Sequence, residues 1–314
     1  MLTTPPTERP RRPRPTPGAV WWRALGAGLL GALALPISAL ADDALPPTVQ
    51  AALRRAAVPA SAVSALVVPV SGDGGERLRH RAGQPINPAS VMKLVTTYAA
   101  IDLLGADYTW NTRFYTDGTI DQGVLRGNLY VRGDGDPKFV LERIQGAFWA
   151  LQDKGVRVVL GDIVLDHSAF EIAPADPGAF DGESLRPYNA TPDALLVNFK
   201  SVVLTFQPDG ANGVARVISE PPMAGLAIDA TVPLARVGAR CGDWRSGLQA
   251  RFDDANSIRF EGSYPQSCGE LKWPVAYQDP ASYASRALEG LWRTSGGAIT
   301  GHARPGLTPP GATL

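Results

Sequence analysis

Asn87-Pro88-Ala89-Ser90-Val91-Met92-Lys93-Leu94-Val95-Thr96-Thr97-Tyr98-Ala99-Ala100 is the stretch from which the rest of the chain is read. Its pattern predicts a helix that opens on a serine and carries a lysine three residues later. Positions i and i+3 are neighbours on a helix surface, so Ser90 and Lys93 share one face. A hydroxyl beside an amine at a positive helix N-terminus makes a nucleophile without histidine. The helix dipole disfavours a cation there and biases the lysine toward its basic form. A capping serine with a solvent-facing lysine would leave the same trace, because Ser is a preferred cap and Pro88 suits a chain entering a helix. Two details favour chemistry. Lysine in the first turn opposes the dipole, which capping does not require. The helix that follows (Leu94, Val95, Tyr98, Ala99, Ile101, Leu103 and Leu104, ending at Gly105) is apolar on nearly every side, the pattern of a buried helix.

The chain has 314 residues, 45% hydrophobic and 19% charged, with a formal net charge of zero. That length supports one large or two moderate domains. No basic excess marks a nucleic-acid partner. Charge is unevenly spread, since Arg9, Arg11, Arg12, Arg14 and Arg23 meet only Glu8 in residues 1–41. This segment reads as an export signal. Arg9 to Arg14 form its basic region, Ala24 to Leu35 its apolar region, and Ala39-Leu40-Ala41 its cleavage site. The apolar region is too short for a stable span, so an exported, periplasmic protein cleaved after Ala41 is expected, with no membrane span remaining. In that oxidising compartment Cys241 and Cys268 are expected to form one disulfide. His80, His167 and His302 fall in no ligand spacing, so neither a metal nor another cofactor is expected.

Taken in order, Leu45 to Ala57 predicts a short helix and Ala62 to Pro69 a core strand, turning at Ser71 to Gly75 into a second strand over Glu76 to Arg81. The Ser90 helix follows. From Tyr108 the texture becomes short strands: Trp110 to Thr116 and Leu125 to Val131 alternate about a turn at Gly118 to Gly123. Arg132 to Pro137 reads as a tight loop, Val140 to Lys154 as an amphipathic helix, and Val156 to Leu165 as a strand. Residues 166–190 form a long polar loop, expected to be ordered by Phe170, Phe180 and Tyr188. Further strands are predicted up to residue 262. Asp279-Pro280 then caps a helix from Ala281 to Trp292. No internal repeat is evident.

Several of these stretches together resemble one family. They are Ile86 to Lys93, Gly127 to Pro137, Phe180-Asp181-Gly182-Glu183 through Pro187-Tyr188-Asn189-Ala190, and Val197 to Val202. The ordered set is similar to the D-alanyl-D-alanine carboxypeptidase/endopeptidases, the class C low-molecular-mass penicillin-binding proteins, from about residue 45 onward. The resemblance implies an α/β (α+β) transpeptidase-type domain of the penicillin-binding/β-lactamase kind, interrupted after the serine helix by a mostly β insertion. Its expected divisions are 42–108 for the first part, 109–275 for the insertion and 276–314 for the return. It also implies action on peptidoglycan stem peptides. By analogy Ser90 attacks the carbonyl before the terminal D-alanine, Lys93 is its general base, and backbone N–H groups including that of Ser90 form the oxyanion hole. β-Lactams would acylate the same serine.

One departure stands out. The family uses two later motifs, S-x-N and K-T-G, and neither occurs: no serine has Asn two positions on, and no lysine is followed by Thr-Gly. Family members run longer, and Leu314 reads as a stop in mid-domain. A truncated chain with impaired activity is therefore expected, with an open sheet edge and an open apolar face on the serine helix. The same residues admit two other readings. A non-catalytic remnant could bind peptidoglycan or a partner. An unrelated serine hydrolase could use His167 or His302, but no Gly-x-Ser-x-Gly elbow exists and Asp166-His167-Ser168 are badly placed as a triad.

Overall fold

The computed structural model describes residues 44–72, 74–173 and 175–314. The expected signal, residues 1–41, lies outside them. The chain divides into two compact units, Met1–Ile101 and Asp102–Leu314.

The first unit opens with helix α1, Pro47–Arg55, which carries proline in its first turn and Arg54 and Arg55 in its last. Both placements suit the helix ends and dipole. Strands β1, Ala65–Val67, and β2, Leu78–His80, pair antiparallel, with Ala65 opposite His80. A single 3₁₀ turn, Ala89–Val91, leads into α2, Met92–Leu104. The strand, hairpin, strand and helix order matches the expectation. The buried-helix reading of α2 is not met; the open apolar face is. Leu94 is 71% exposed, Tyr98 71% and Leu103 80%, and no residue of the helix is buried. An all-round apolar sequence equips a helix to be surrounded, yet no described element covers it.

The second unit is built on three short passes of the chain: Val124-Leu125-Arg126-Gly127-Asn128-Leu129, Val158-Val159-Leu160-Gly161-Asp162-Ile163, and Ala298-Ile299-Thr300-Gly301-His302-Ala303. Each is a strand, a glycine, a polar residue and a second strand. The first halves, β5 (Val124–Arg126), β7 (Val158–Val159) and β16 (Ala298–Ile299), lie parallel in one sheet. The second halves, β6 (Leu129–Gly133), β8 (Ile163–Asp166) and β17 (Ala303–Pro305), lie parallel in another. Antiparallel edge strands β4 (Thr119–Asp121) and β3 (Thr112–Thr116) complete the two sheets.

The bend between sheets is made by the glycines, which stack. Gly161 N–H donates to the Gly127 carbonyl at 3.0 Å, and Gly301 N–H to the Gly161 carbonyl at 3.1 Å. Side chains repeat the ladder: the Asn128 Oδ1 accepts from Asp162 N–H and the Asp162 Oδ1 from His302 N–H. The predicted single strand over Val156 to Leu165 is thus two strands broken at Gly161. The repetition spans only six residues per pass, too short to stand out as a repeat along the sequence.

Helices α3, Leu141–Asp153, and α5, Pro280–Thr294, pack on these sheets. Ile144 and Phe148 from α3 meet Leu288, Leu291 and Trp292 from α5 in a common core, with the Phe148 and Trp292 rings edge to face. The Trp292 indole N–H is satisfied by the Ala298 carbonyl. β16 and β17 pair with β7 and β8, so the chain from residue 298 to 305 completes the two sheets of the second unit.

The intervening chain forms β9, Ser201–Asp209, the centre of an antiparallel sheet with β10, Val214–Glu220, then β12, Thr231–Pro233, on one side and β15, Leu271–Ala276, on the other. The short helix α4, Trp244–Gly247, and the hairpin β13 (Ala250–Asp254) with β14 (Ser257–Phe260) pack against it. Phe206, Trp244, Phe260 and Tyr264 form the aromatic centre of this part. The Cys241–Cys268 disulfide closes the whole α4–hairpin excursion at its base.

The 166–190 loop is ordered differently from the expectation. Phe180 is 84% exposed, and Phe170 and Tyr188 are also exposed. The loop is instead held by Asp181, whose carboxylate accepts from Tyr188 Oη, Asn189 Nδ2 and Glu183 N–H.

Candidate active site

Ser90 and Lys93 sit where the 3₁₀ turn becomes α2. The entry is shaped by Asn87, whose Oδ1 accepts from Ala89 N–H at 2.9 Å while Ala89 takes a positive φ of 44°. That Asx turn satisfies one of the orphan donors every helix start leaves. Val91 N–H then bonds back to the Pro88 carbonyl. The result places the serine one turn before Lys93, and the lysine Nζ donates to Ser90 Oγ at 3.0 Å. A hydroxyl and an amine in direct hydrogen-bond contact have the geometry of a nucleophile and its base. Reversal of that bond, with Oγ–H donating to a neutral Nζ, is the reactive arrangement.

Both side chains are exposed, as are Val91, Met92, Leu94 and Val95 around them. Water exclusion favours the neutral form of an amine and strengthens every polar contact to a developing oxyanion. In the structure the pair stands in solvent at the head of a bare apolar helix.

The histidines lie elsewhere. His167 Nδ1 pairs with Asp193 Oδ1 at 2.5 Å, and His302 Nδ1 lies 3.6 Å from Glu289 Oε2. Among the described residues no serine hydroxyl is bonded to either ring. Asp166, adjacent in sequence to His167, turns to Ser168 N–H and Thr308 N–H instead. This disposes of the hydrolase reading at these histidines. The Asp193 partnership was not legible in the sequence, since the residues are 26 positions apart on a loop.

A model of the D-Ala-D-Ala carboxypeptidase 3 (S13) family matches residues 48–313. The chain belongs to that family. A D-alanyl-D-alanine carboxypeptidase of Actinomadura sp. (strain R39) is 26% identical over 257 residues, 79% of this chain and 46% of the relative. The D-alanyl-D-alanine carboxypeptidase DacB of Haemophilus influenzae (strain ATCC 51907 / DSM 11121 / KW20 / Rd) is 31% identical over 110 residues, 35% of this chain and 23% of the relative. In fold, the chain is similar to the crystal structure of penicillin binding protein 4 (dacB) from Haemophilus influenzae. The TM-score is 0.53 at 21% identity, covering 72% of this chain and 49% of that one. The chain therefore spans about half the length, or less, of the relatives it matches.

Proposed function

We propose that this protein is an exported serine-type D-Ala-D-Ala carboxypeptidase/endopeptidase that acts on peptidoglycan stem peptides through a Ser90 acyl-enzyme. The observation that carries the reading is the 3.0 Å contact between Lys93 Nζ and Ser90 Oγ at the head of α2. Membership of the carboxypeptidase family supports the reaction class. In this reading Lys93 takes the Ser90 proton, Oγ attacks the carbonyl before the last D-alanine, and the leaving amine departs with a proton. Water then hydrolyses the ester. β-Lactams, which offer a strained amide to the same oxygen, are acylating inhibitors. Residues 1–41, with their basic, apolar and small-residue regions, would direct export to the periplasm, and no described helix is long and apolar enough to cross a membrane.

The 314-residue chain by itself carries neither S-x-N nor K-T-G. Its groups supply the nucleophile and base, and the other side of the cleft is left to those motifs in relatives that have them. Slow acylation and slower turnover follow for the isolated chain. Labelling with a fluorescent penicillin tests the reading: a band that disappears in Ser90→Ala supports it. Absence of any label at high reagent concentration and long exposure would instead favour a non-catalytic chain that binds peptidoglycan or a partner.

A further inference from the structure

Away from Ser90, the second unit contains a cavity of about 420 Å³ walled by Phe170, Ile172, Pro192, Ala281 and Ala284 and floored by charged groups. Lys200 is only 6% exposed, a rare burial for an ammonium. It donates to Asp193 Oδ2 at 3.0 Å and to Thr191 Oγ1 at 3.1 Å. The other oxygen of Asp193 holds His167 Nδ1. One carboxylate thus braces two cationic or potentially cationic groups side by side on the cavity wall. Burial works against the charge of Asp193, but the bonds from His167, Leu195 N–H and Lys200 outweigh it and hold its carboxyl below the ordinary range.

The backbone is bent to achieve this. Asn198, Phe199 and Lys200 all have positive φ, at 41°, 56° and 51°. Three consecutive non-glycine residues in the left-handed region cost free energy, and such strain collects at functional sites. The surroundings pin the segment: Asn198 N–H donates to the Phe139 carbonyl, Tyr277 N–H to the Lys200 carbonyl, and Ser201 Oγ to the Phe199 carbonyl.

After these bonds, two donors remain. Lys200 has a third N–H. His167 Nε2 has no partner among the described residues, and because Asp193 can only accept, Nδ1 carries a proton and Nε2 donates once the ring is protonated. Among the described residues lining the cavity, only His167, Asp193 and Lys200 are ionisable, and Thr191 is the only hydroxyl. That hydroxyl faces lysine, so the site lacks the serine–histidine contact that acyl transfer would need.

We infer that this cavity is a binding site for a small apolar carboxylate, whose oxygens accept from Lys200 Nζ and His167 Nε2 while its body fills the space beside Phe170, Ile172 and Ala284. The bound anion completes an alternating series of Lys200 cation, Asp193 anion, His167 cation and ligand anion.

The chain has only three histidines, so selective ¹³C labelling of histidine Cε1 gives three resonances, assigned with single His→Gln variants. The full chain is titrated with N-acetylleucine and, separately, with its uncharged amide. The expected result is a saturable movement of the His167 resonance with the acid alone. Lys200→Met is expected to weaken it at least tenfold. Should Lys200→Met fail to fold, Ala281→Leu, which fills the cavity from an exposed position on α5, must produce the same loss. An unmoved His167 resonance, an equal response to the amide, or undiminished binding in folded Ala281→Leu would overturn the assignment.

Discussion

Gly161 hands its N–H to the Gly127 carbonyl at 3.0 Å, and a Cβ built on Gly161 would fall 2.7 Å from that same oxygen. Gly301 repeats the relation one strand further, with its Cβ position 2.6 Å from the Gly161 carbonyl oxygen. Backbone cannot move aside as a flexible side chain can. Gly161→Ala is therefore expected to destabilise the second unit by about 1–3 kcal/mol, the range for overpacking a closed core. Urea unfolding followed by tryptophan fluorescence checks it; unchanged stability would show that the two sheets can separate at this bend without cost.

Asp166 links β8 to the chain beyond β17. It is 2% exposed, and its carboxylate accepts from Ser168 N–H and Thr308 N–H. Burial alone would raise its pKa; the bonds from Ser168 and Thr308 win, and the carboxyl is lowered from 3.8 to about 2. A folded-state pKa depressed in this way adds stability that is fully present above the unfolded value and lost as pH falls through the folded one. The contribution is about 2–3 kcal/mol at neutral pH, and it declines between about pH 5 and pH 2. Comparing wild type with Asp166→Asn across that interval, the difference in unfolding free energy must shrink toward low pH. A gap that stays constant would refute the assignment.

Cys241 and Cys268 are 27 residues apart, and the loop they close holds α4 and the β13–β14 hairpin. In the chain-entropy account, closing a loop of that length stabilises by about 3–4 kcal/mol. Reduction, or the double variant Cys241→Ser/Cys268→Ser, is expected to speed amide exchange in β13 and β14 first and in β6 and β8 least. Uniform loss of protection over the whole second unit would contradict this order.

The apolar side chains of α2 stand in water, and exposed apolar patches of this kind mark contact surfaces or association hazards. The isolated chain is expected to self-associate with rising concentration. The double variant Leu94→Glu/Tyr98→Lys, on residues each 71% exposed, should restore a monomer in sedimentation velocity. Association that persists undiminished in this variant would place the sticky surface elsewhere.

At the proposed nucleophile, Lys93→Met leaves the helix intact and removes the only nitrogen bonded to Ser90 Oγ among the described residues. Acylation by a penicillin should slow by about 10²–10⁴-fold, the usual weight of a positioned base, and Ser90→Ala should abolish it. A Lys93→Met rate within threefold of wild type would assign proton removal to another group.

Much of this could be read along the chain because it depends on near neighbours. The Ser90–Lys93 contact is an i, i+3 relation, which helix geometry fixes once the helix is granted. Asp279-Pro280 marked the start of α5 for a similar reason: Pro at the first helical position loses nothing there. The Asp279 side chain itself makes no cap bond, so the signal was the backbone preference and not the carboxylate. The two cysteines needed only an oxidising compartment and an even count.

What stayed hidden depends on residues that sequence distance keeps apart. The glycine ladder joins positions 127, 161 and 301, and only parallel pairing brings them into register. Pairing of β16 and β17 with β7 and β8 completes the two sheets of the second unit, because strand partners are chosen by backbone hydrogen bonds across the fold and not by chain order. Lys200 looked like any lysine beside a strand until three left-handed residues turned it onto Asp193. The sequence by itself determined the Ser90–Lys93 pairing, proposed here as nucleophile and base, and the family to which the chain belongs. Only the tertiary structure decided which surfaces are covered, and it left α2 bare, because burial is a property of what packs against a helix and not of the helix's own residues.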